Sequence, residues 1–255
     1  MTLTRQIPLD LPVRAALDRE AFYVSESNAL AVAQIDGWRG WPGRRMALVG
    51  PEGAGKTHLA AVWAGDTGAR AVPAAALAGL DLGALERLPG VAVEDADRLP
   101  GPEAERALFH LHNRLEAAGG ALLLTGREAP ARWPVTLPDL RSRLAAMPVA
   151  RIEGPDDALM ERLAKKLFDD RGVTPEKSLL QWLARRAPRD HRSLAEAVAL
   201  IDRAALAAGG RPRRQLARLA LAGRPGWEHL AEPDADPDPD ADAADEISFD
   251  PPPRA

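Results

Sequence analysis

Residues 50–57 read Gly-Pro-Glu-Gly-Ala-Gly-Lys-Thr, a complete G-x-x-x-x-G-K-T pattern. Gly50, Gly53 and Gly55 let the backbone turn its N–H groups inward around anionic oxygens, with Pro51, Glu52 and Ala54 as the intervening links. Lys56 supplies a mobile positive charge for terminal phosphates, and Thr57 a hydroxyl for a magnesium ion. Lysine is scarce in this chain, four against 29 arginines, so its presence at this position carries weight. His58 follows at the edge of the cradle and reads as local packing rather than as a catalytic group. A second signal lies 38 residues after Lys56, where Val91-Ala92-Val93 runs into Glu94 and Asp95. A magnesium–nucleotide site needs one carboxylate to hold the metal and another to orient water. Glu94 with Thr57 is the expected magnesium pair, and Asp95 the neighbouring acid.

These residues need a scaffold that brings two strand ends together. Short apolar runs at 46–50, 91–93, 121–125 and 149–152 read as buried strands. Helical spacing appears between them, from Lys56 to Ala64 and over 103–118, where Ala107, Leu108, Leu111 and Leu115 share a face. Buried strands alternating with helices predict an α/β domain with a parallel sheet flanked by helices, over 21–154. After Pro155 the strand signals stop. Apolar spacing over 156–170, 176–187, 191–207 and 213–221 predicts a small all-α bundle, over 155–224, that would act as a lid. Residues 1–20, with Pro8 and Pro12, read as an extended arm. Residues 225–255 are Asp- and Pro-rich and are expected to be a disordered acidic tail.

Composition narrows the chemistry. The chain of 255 residues has no cysteine, which excludes disulfides, thiolate zinc sites and a cysteine nucleophile, and fits a cytoplasmic setting. No apolar run approaches 18 residues, so no membrane span is expected, and the N-terminus lacks the apolar core of a signal peptide. The net charge of −4 conceals an asymmetry: residues 231–255 carry −8, the remainder +4. Five histidines show no metal-ligand spacing; His110 and His112, two apart, do not share a helix face. Arg211, Arg213, Arg214 and Arg218 form a basic cluster that could touch DNA phosphates weakly and without sequence preference, although a solvated surface is the simpler reading.

Four stretches carry a family resemblance: FYVSESNALA (22–31), VGPEGAGKTHLAAVWA (49–64), VAVEDADRL (91–99) and LPDLRSRL (137–144). Together, over about residues 15–222, the chain resembles the AAA+ ATPase module of the bacterial DnaA initiator clade. With no further folded domain expected after 222, it is similar within that clade to the short regulatory inactivators of DnaA, the Hda type. The resemblance implies ATP or ADP with Mg²⁺ as ligands. It makes Arg143 the expected arginine finger, with Arg141 as competitor, Arg192 in DHRSLAEAV the sensor-2 arginine, and Thr125 the sensor-1 candidate. A finger points into a neighbour's nucleotide and neutralises charge developing on its γ-phosphate. Residues 6–11, Gln-Ile-Pro-Leu-Asp-Leu, are similar to the peptide that binds the DNA polymerase sliding clamp. Gln6 would meet a polar notch, and Ile7, Leu9 and Leu11 an apolar groove.

Two departures from the family stand out. Glu94 lies where Asp is usual, and Arg127 lies where related proteins carry Asp, two residues after Thr125. Both leave nucleotide binding expected and argue against fast intrinsic hydrolysis. The expected partners are the DnaA initiator and the sliding clamp, with a homo-oligomer left open. The expected function is regulation of chromosomal replication initiation. Two alternatives stay open: a stand-alone or helicase-loading ATPase acting on DNA, and a clamp-tethered adaptor that uses the fold only as a scaffold.

Overall fold

A computed structural model describes Arg19 and residues 22–228. The clamp-type residues Gln6, Ile7, Leu9 and Leu11, and the acidic stretch beyond 228, lie outside the described residues.

Five parallel strands form one sheet: β1 (Arg45–Val49), β2 (Arg70–Pro73), β3 (Gly90–Glu94), β4 (Ala121–Gly126) and β5 (Val149–Arg151), in the order β2-β3-β4-β1-β5. Alternation along the strands fills both faces. Ala47, Val49, Val91, Val93, Leu122 and Leu124 point into one core. Met46, Leu48, Ala92, Ala121 and Leu123 point into the other. The first core is covered by α3 (Leu82–Leu85), α4 (Pro102–Ala118) and α5 (Pro138–Ala145); the second by α1 (Ala29–Asp36) and α2 (Lys56–Thr67). Gly90 and Gly126 are needed for packing. A Cβ on Gly90 would stand 2.9 Å from Trp63, and one on Gly126 2.7 Å from Trp133.

The second unit contains α6 (Asp157–Asp169), α7 (Lys177–Arg186), α8 (His191–Ala207) and α9 (Arg214–Leu221), around a core that includes Phe168, Leu183, Val198 and Ile201. Two of these helices begin on aspartate caps. Asp156 Oδ1 accepts from Leu159 N at 2.7 Å, and Asp190 Oδ1 from Ser193 N at 2.8 Å. Each satisfies an N–H group that the first turn leaves without a helical partner.

The parallel α/β sheet with a following helical unit is the architecture expected. Four elements were not anticipated: α1, α3, α5 and the edge strand β2, in which only Val72 is buried. The helical unit also runs past the boundary expected at 224. Trp227 is buried and stacks on Trp182, with ring centroids 6.0 Å apart. Arg214, expected in a solvated basic cluster, is instead buried at the start of α9. Among the described residues, no helix is long and apolar enough to cross a membrane.

Candidate functional site

The loop 50–55 joins the C-terminal end of β1 directly to α2, whose first residue is Lys56. Gly53 and Gly55 have φ of +77° and +93°, left-handed values that glycine adopts without a Cβ penalty. Gly50 is required by contact rather than by φ: a Cβ there would stand 2.2 Å from Ile152 O. The loop therefore has small residues where its walls close in, and its N–H groups lie at the positive end of α2. Lys56 is buried, and its Nζ donates to Gly50 O at 2.9 Å and Pro51 O at 2.7 Å. The ammonium thus sits within the curl of the loop. Burial lowers its pKa, and Arg127 adds to this, while Asp95, Asp97 and Glu52 oppose it.

Glu94 closes β3 two strands away from the loop, since β4 separates β3 from β1. The Thr57 hydroxyl donates to the Glu94 carboxylate. Burial raises the Glu94 pKa and Asp95 adds to that, against the Thr57 hydrogen bond. Thr57 and Glu94, expected from sequence as the magnesium pair, are therefore brought together. Mg²⁺ keeps most of its waters and takes only one or two protein oxygens, so such a pair fits it. Among the described residues, no preassembled group of three or more metal-ligating side chains occurs.

Asp95 is in the left-handed region at φ 53°, which turns the chain out of the strand. Its N–H donates to Thr125 Oγ1 at 3.0 Å. Thr125 is 1% exposed, so its hydroxyl braces the turn that presents Asp95. Arg127 follows on the same strand end and pairs with the Glu52 carboxylate of the loop.

The helical unit meets the loop from above. A Cβ on Gly53 would stand 2.0 Å from Asp190 Cβ, so the cap of α8 rests on the loop backbone. Arg192 lies two residues further on, but its side chain is 89% exposed and its Nε donates to Glu196 Oε1 at 3.1 Å. The structure brings the end of α8 to the loop without bringing the Arg192 guanidinium onto it. His58 packs edge-on against Phe22, ring centroids 5.0 Å apart. Phe22 and Ile152 are walls that sequence reasoning missed: they stand 3.7 and 3.9 Å from the position of a Cβ on Gly55. Phe22 opens the FYVSESNALA stretch and Ile152 ends an expected strand, but only the topology brings them to the loop.

Arg143 is elsewhere. It lies in the last turn of α5, where its Nη1 donates to Glu116 Oε2 at 3.2 Å and its guanidinium carbon stands 5.5 Å from the Phe109 ring centroid. Its charge is felt by Arg45 and His112. Arg45 starts β1, whereas the phosphate loop follows the end of β1, so about 15 Å of strand separates them. The competitor Arg141 is spent on structure: its Nε and Nη2 donate to Val135 O at 3.1 and 2.9 Å.

No protein-family model matches the chain. Among solved structures, it is similar to domain III of the Thermotoga maritima replication initiation protein DnaA, with a TM-score of 0.68 and 20% identity, over 83% of this chain and 98% of that one. It is similar to AMPPCP-bound DnaA from Aquifex aeolicus, with a TM-score of 0.58 and 19% identity, over 72% of this chain and 64% of that one. The Thermotoga maritima RuvB Holliday junction branch migration motor gives a TM-score of 0.59 at 17% identity, over 81% and 72%. The fold is thus a DnaA-like AAA+ fold. By sequence, the chain is 31% identical over 169 residues to a protein of Haemophilus influenzae described only as uncharacterized, covering 62% of this chain and 73% of that one. The chain belongs to the same protein family as that Haemophilus influenzae protein.

Proposed function

We propose that this chain is a DnaA-related AAA+ nucleotide-binding regulator of chromosomal replication initiation. It binds ATP or ADP with Mg²⁺, docks on the sliding clamp through Gln6, Ile7, Leu9 and Leu11, and presents Arg143 to ATP held by DnaA. Stimulated hydrolysis of that ATP then limits re-initiation. The observation that carries this reading is the position of Arg143. It is half-exposed at the opposite end of β1 from the chain's own phosphate loop. A guanidinium so placed serves a nucleotide held by another molecule.

The roles of the other residues follow from their positions. Gly50, Gly53 and Gly55 shape the loop, and Lys56 leaves the Gly50 and Pro51 carbonyls to meet terminal phosphates. Thr57 and Glu94 would hold Mg²⁺, which neutralises phosphate charge when bound. Asp95, whose backbone is braced by Thr125, is the acid that would orient water. Arg192 needs only a side-chain swing away from Glu196 to approach the loop, since its helix already touches Gly53. The exposed Glu196 pair costs little to break.

The test is hydrolysis of DnaA-bound ATP with and without DNA-loaded clamp. Wild-type chain should accelerate it only when the clamp is present. Arg143→Ala should bind clamp and fail to accelerate, and Gln6→Ala with Leu9→Ala should lose clamp binding. Full stimulation by Arg143→Ala would refute the finger role. The likeness to the RuvB motor favours a second reading, an ATPase acting directly on DNA. That reading predicts DNA-stimulated turnover by this chain in the absence of DnaA.

A further inference from the structure

Residues 203–224 contain six arginines and no acid, whereas residues 231–255 contain nine acids and one arginine. Two blocks of opposite sign thus follow one another closely in the chain. The fold gathers part of the first block at one end of the helical unit. Leu216, in the first turn of α9, packs on Ala204 and Ala205, in the last turn of α8. Arg203, Arg211 and Arg213 flank that contact in the chain; the first two are exposed and the third is half-buried. Arg203 feels the charge of Asp202, which also faces Arg171 at 3.9 Å. Among the described residues, Arg211 and Arg213 form no ion pair. The same two helices expose apolar surface. Four large apolar side chains are exposed among the described residues, and two of them, Leu206 and Leu219, belong to α8 and α9. Such a face suits a partner that is acidic and carries apolar side chains of its own.

Residues 231–255 lie outside the described residues, but their sequence has that chemistry. Asp234, Asp236, Asp238, Asp240 and Asp242 recur at every second position, with Pro237 and Pro239 among them. On an extended backbone alternate side chains share a face, so this spacing would present five carboxylates to one surface. Proline resists helix there. Ile247 and Phe249 follow, again two apart. The length of chain suffices. After α9 the chain is pinned to α7 by Trp227, which stacks on Trp182. Helix α9 has eight residues and is about 12 Å long, and the run from 228 to 234 reaches about 20 Å when extended. Each exposed ion pair is weak, but a short tether holds the two sides at an effective concentration on the order of millimolar.

We propose that the exposed face formed by α8 and α9 is the docking site of the chain's own acidic segment, residues 231–255. The aspartates meet Arg203, Arg211 and Arg213, and Ile247 and Phe249 cover the exposed leucines. Docked there, the segment denies the basic face to the phosphates of nucleic acid, and raised salt releases it. The proposal goes beyond the nucleotide reading and does not depend on it.

The chain has no cysteine, so Ala208→Cys with Ala244→Cys accepts a pair of spin labels at chosen sites. Dipolar distance measurement on the full chain should give a short, narrow distance population at about 0.05 M salt and a broad one at about 1 M. The short population should be lost at low salt in Arg211→Ala with Arg213→Ala. It should also be lost when Asp234→Asn, Asp236→Asn, Asp238→Asn, Asp240→Asn and Asp242→Asn are combined. Thermal melting checks the fold of the arginine variant. The asparagine variant changes no described residue and decides the matter if the other does not fold. A fluorescent single-stranded oligonucleotide gives a second readout. The asparagine variant should bind it about tenfold more tightly than wild type, the factor expected when the docked form outnumbers the open one about ten to one. A short population that never forms in wild type, or that persists in either folded variant, overturns the proposal. So does one that appears only between singly labelled chains, which makes the occupant a second copy. Equal oligonucleotide binding by wild type and the asparagine variant also overturns it, because the face is then open to nucleic acid.

Discussion

Gly53 and Asp190 lie in contact across the two structural units. The loop glycine has φ +77°, and the position of its missing Cβ is 2.0 Å from Asp190 Cβ. The residue that caps α8 through Ser193 thus also rests on the phosphate loop. Loop and helical unit cannot move independently while this contact holds. It provides a physical route by which occupancy of the loop is felt at the helices.

Gly53→Ala should break that arrangement. A left-handed alanine costs about 1 kcal/mol by itself, and the overlap with Asp190 adds to it. The expected loss of stability is about 2 kcal/mol or more, with weakened nucleotide binding. Urea unfolding and calorimetry check both. Wild-type stability in Gly53→Ala would show that the contact relaxes freely.

Glu105 holds the start of the helix that carries Arg143. Its buried carboxylate accepts from Thr136 N at 3.0 Å, from Thr136 Oγ1 at 2.8 Å and from Leu137 N at 2.8 Å. Burial alone would raise its pKa, but these hydrogen bonds, with help from Arg141, hold it below the usual carboxylate range. Glu105→Ala strands several donors and should cost about 3 kcal/mol. If the proposed finger role holds, it should also reduce stimulation of hydrolysis of DnaA-bound ATP, because α5 loses its anchor. Melting temperature and the DnaA·ATP assay, measured on the same preparation, test the link between the two.

His112 should make stability depend on pH. Burial, then the charges of Arg45 and Arg143, lower its pKa to about 4, against the attraction of Glu116. The folded protein keeps it neutral while the unfolded chain protonates it below about pH 6.5. Stability therefore falls as pH drops from about 6.5 towards about 4, by roughly 3 kcal/mol from this group. Below that window both states carry the proton and the contribution levels off. His112→Gln should flatten the difference between urea unfolding at pH 7 and at pH 4.5. An unaltered slope would assign the pH dependence to other groups.

Much of this site could be read in the sequence because its parts are contiguous. The G-x-x-x-x-G-K-T run fixes a strand end, a turn and a helix start in eight residues. Glu94 and Asp95 were visible because a buried strand of small and branched apolar residues ends on them. What escaped is contact with the loop made by residues distant from it in the chain. Phe22 reaches the loop only through the fold, and Asp190 looks like an ordinary helix cap until α8 is placed against Gly53. Helix α5 begins at Pro138 with only Leu140 and Leu144 buried, too short a pattern to register as a helix. Strand β2 buries one side chain fully at the sheet edge, so its four residues show no apolar run. The departure at Arg127 was legible as a charge reversal, but its partner Glu52, 75 residues away, was not.

The proposed function depends on the loop gripping a nucleotide through Lys56. Titration calorimetry with millimolar ADP or ATP and Mg²⁺ tests this most directly, with wild type and Lys56→Ala compared at matched folding. The expected result is saturable heat and a raised melting temperature in wild type, with both lost in Lys56→Ala. Absence of heat and of any melting shift in wild type, or equal binding by Lys56→Ala, would contradict it.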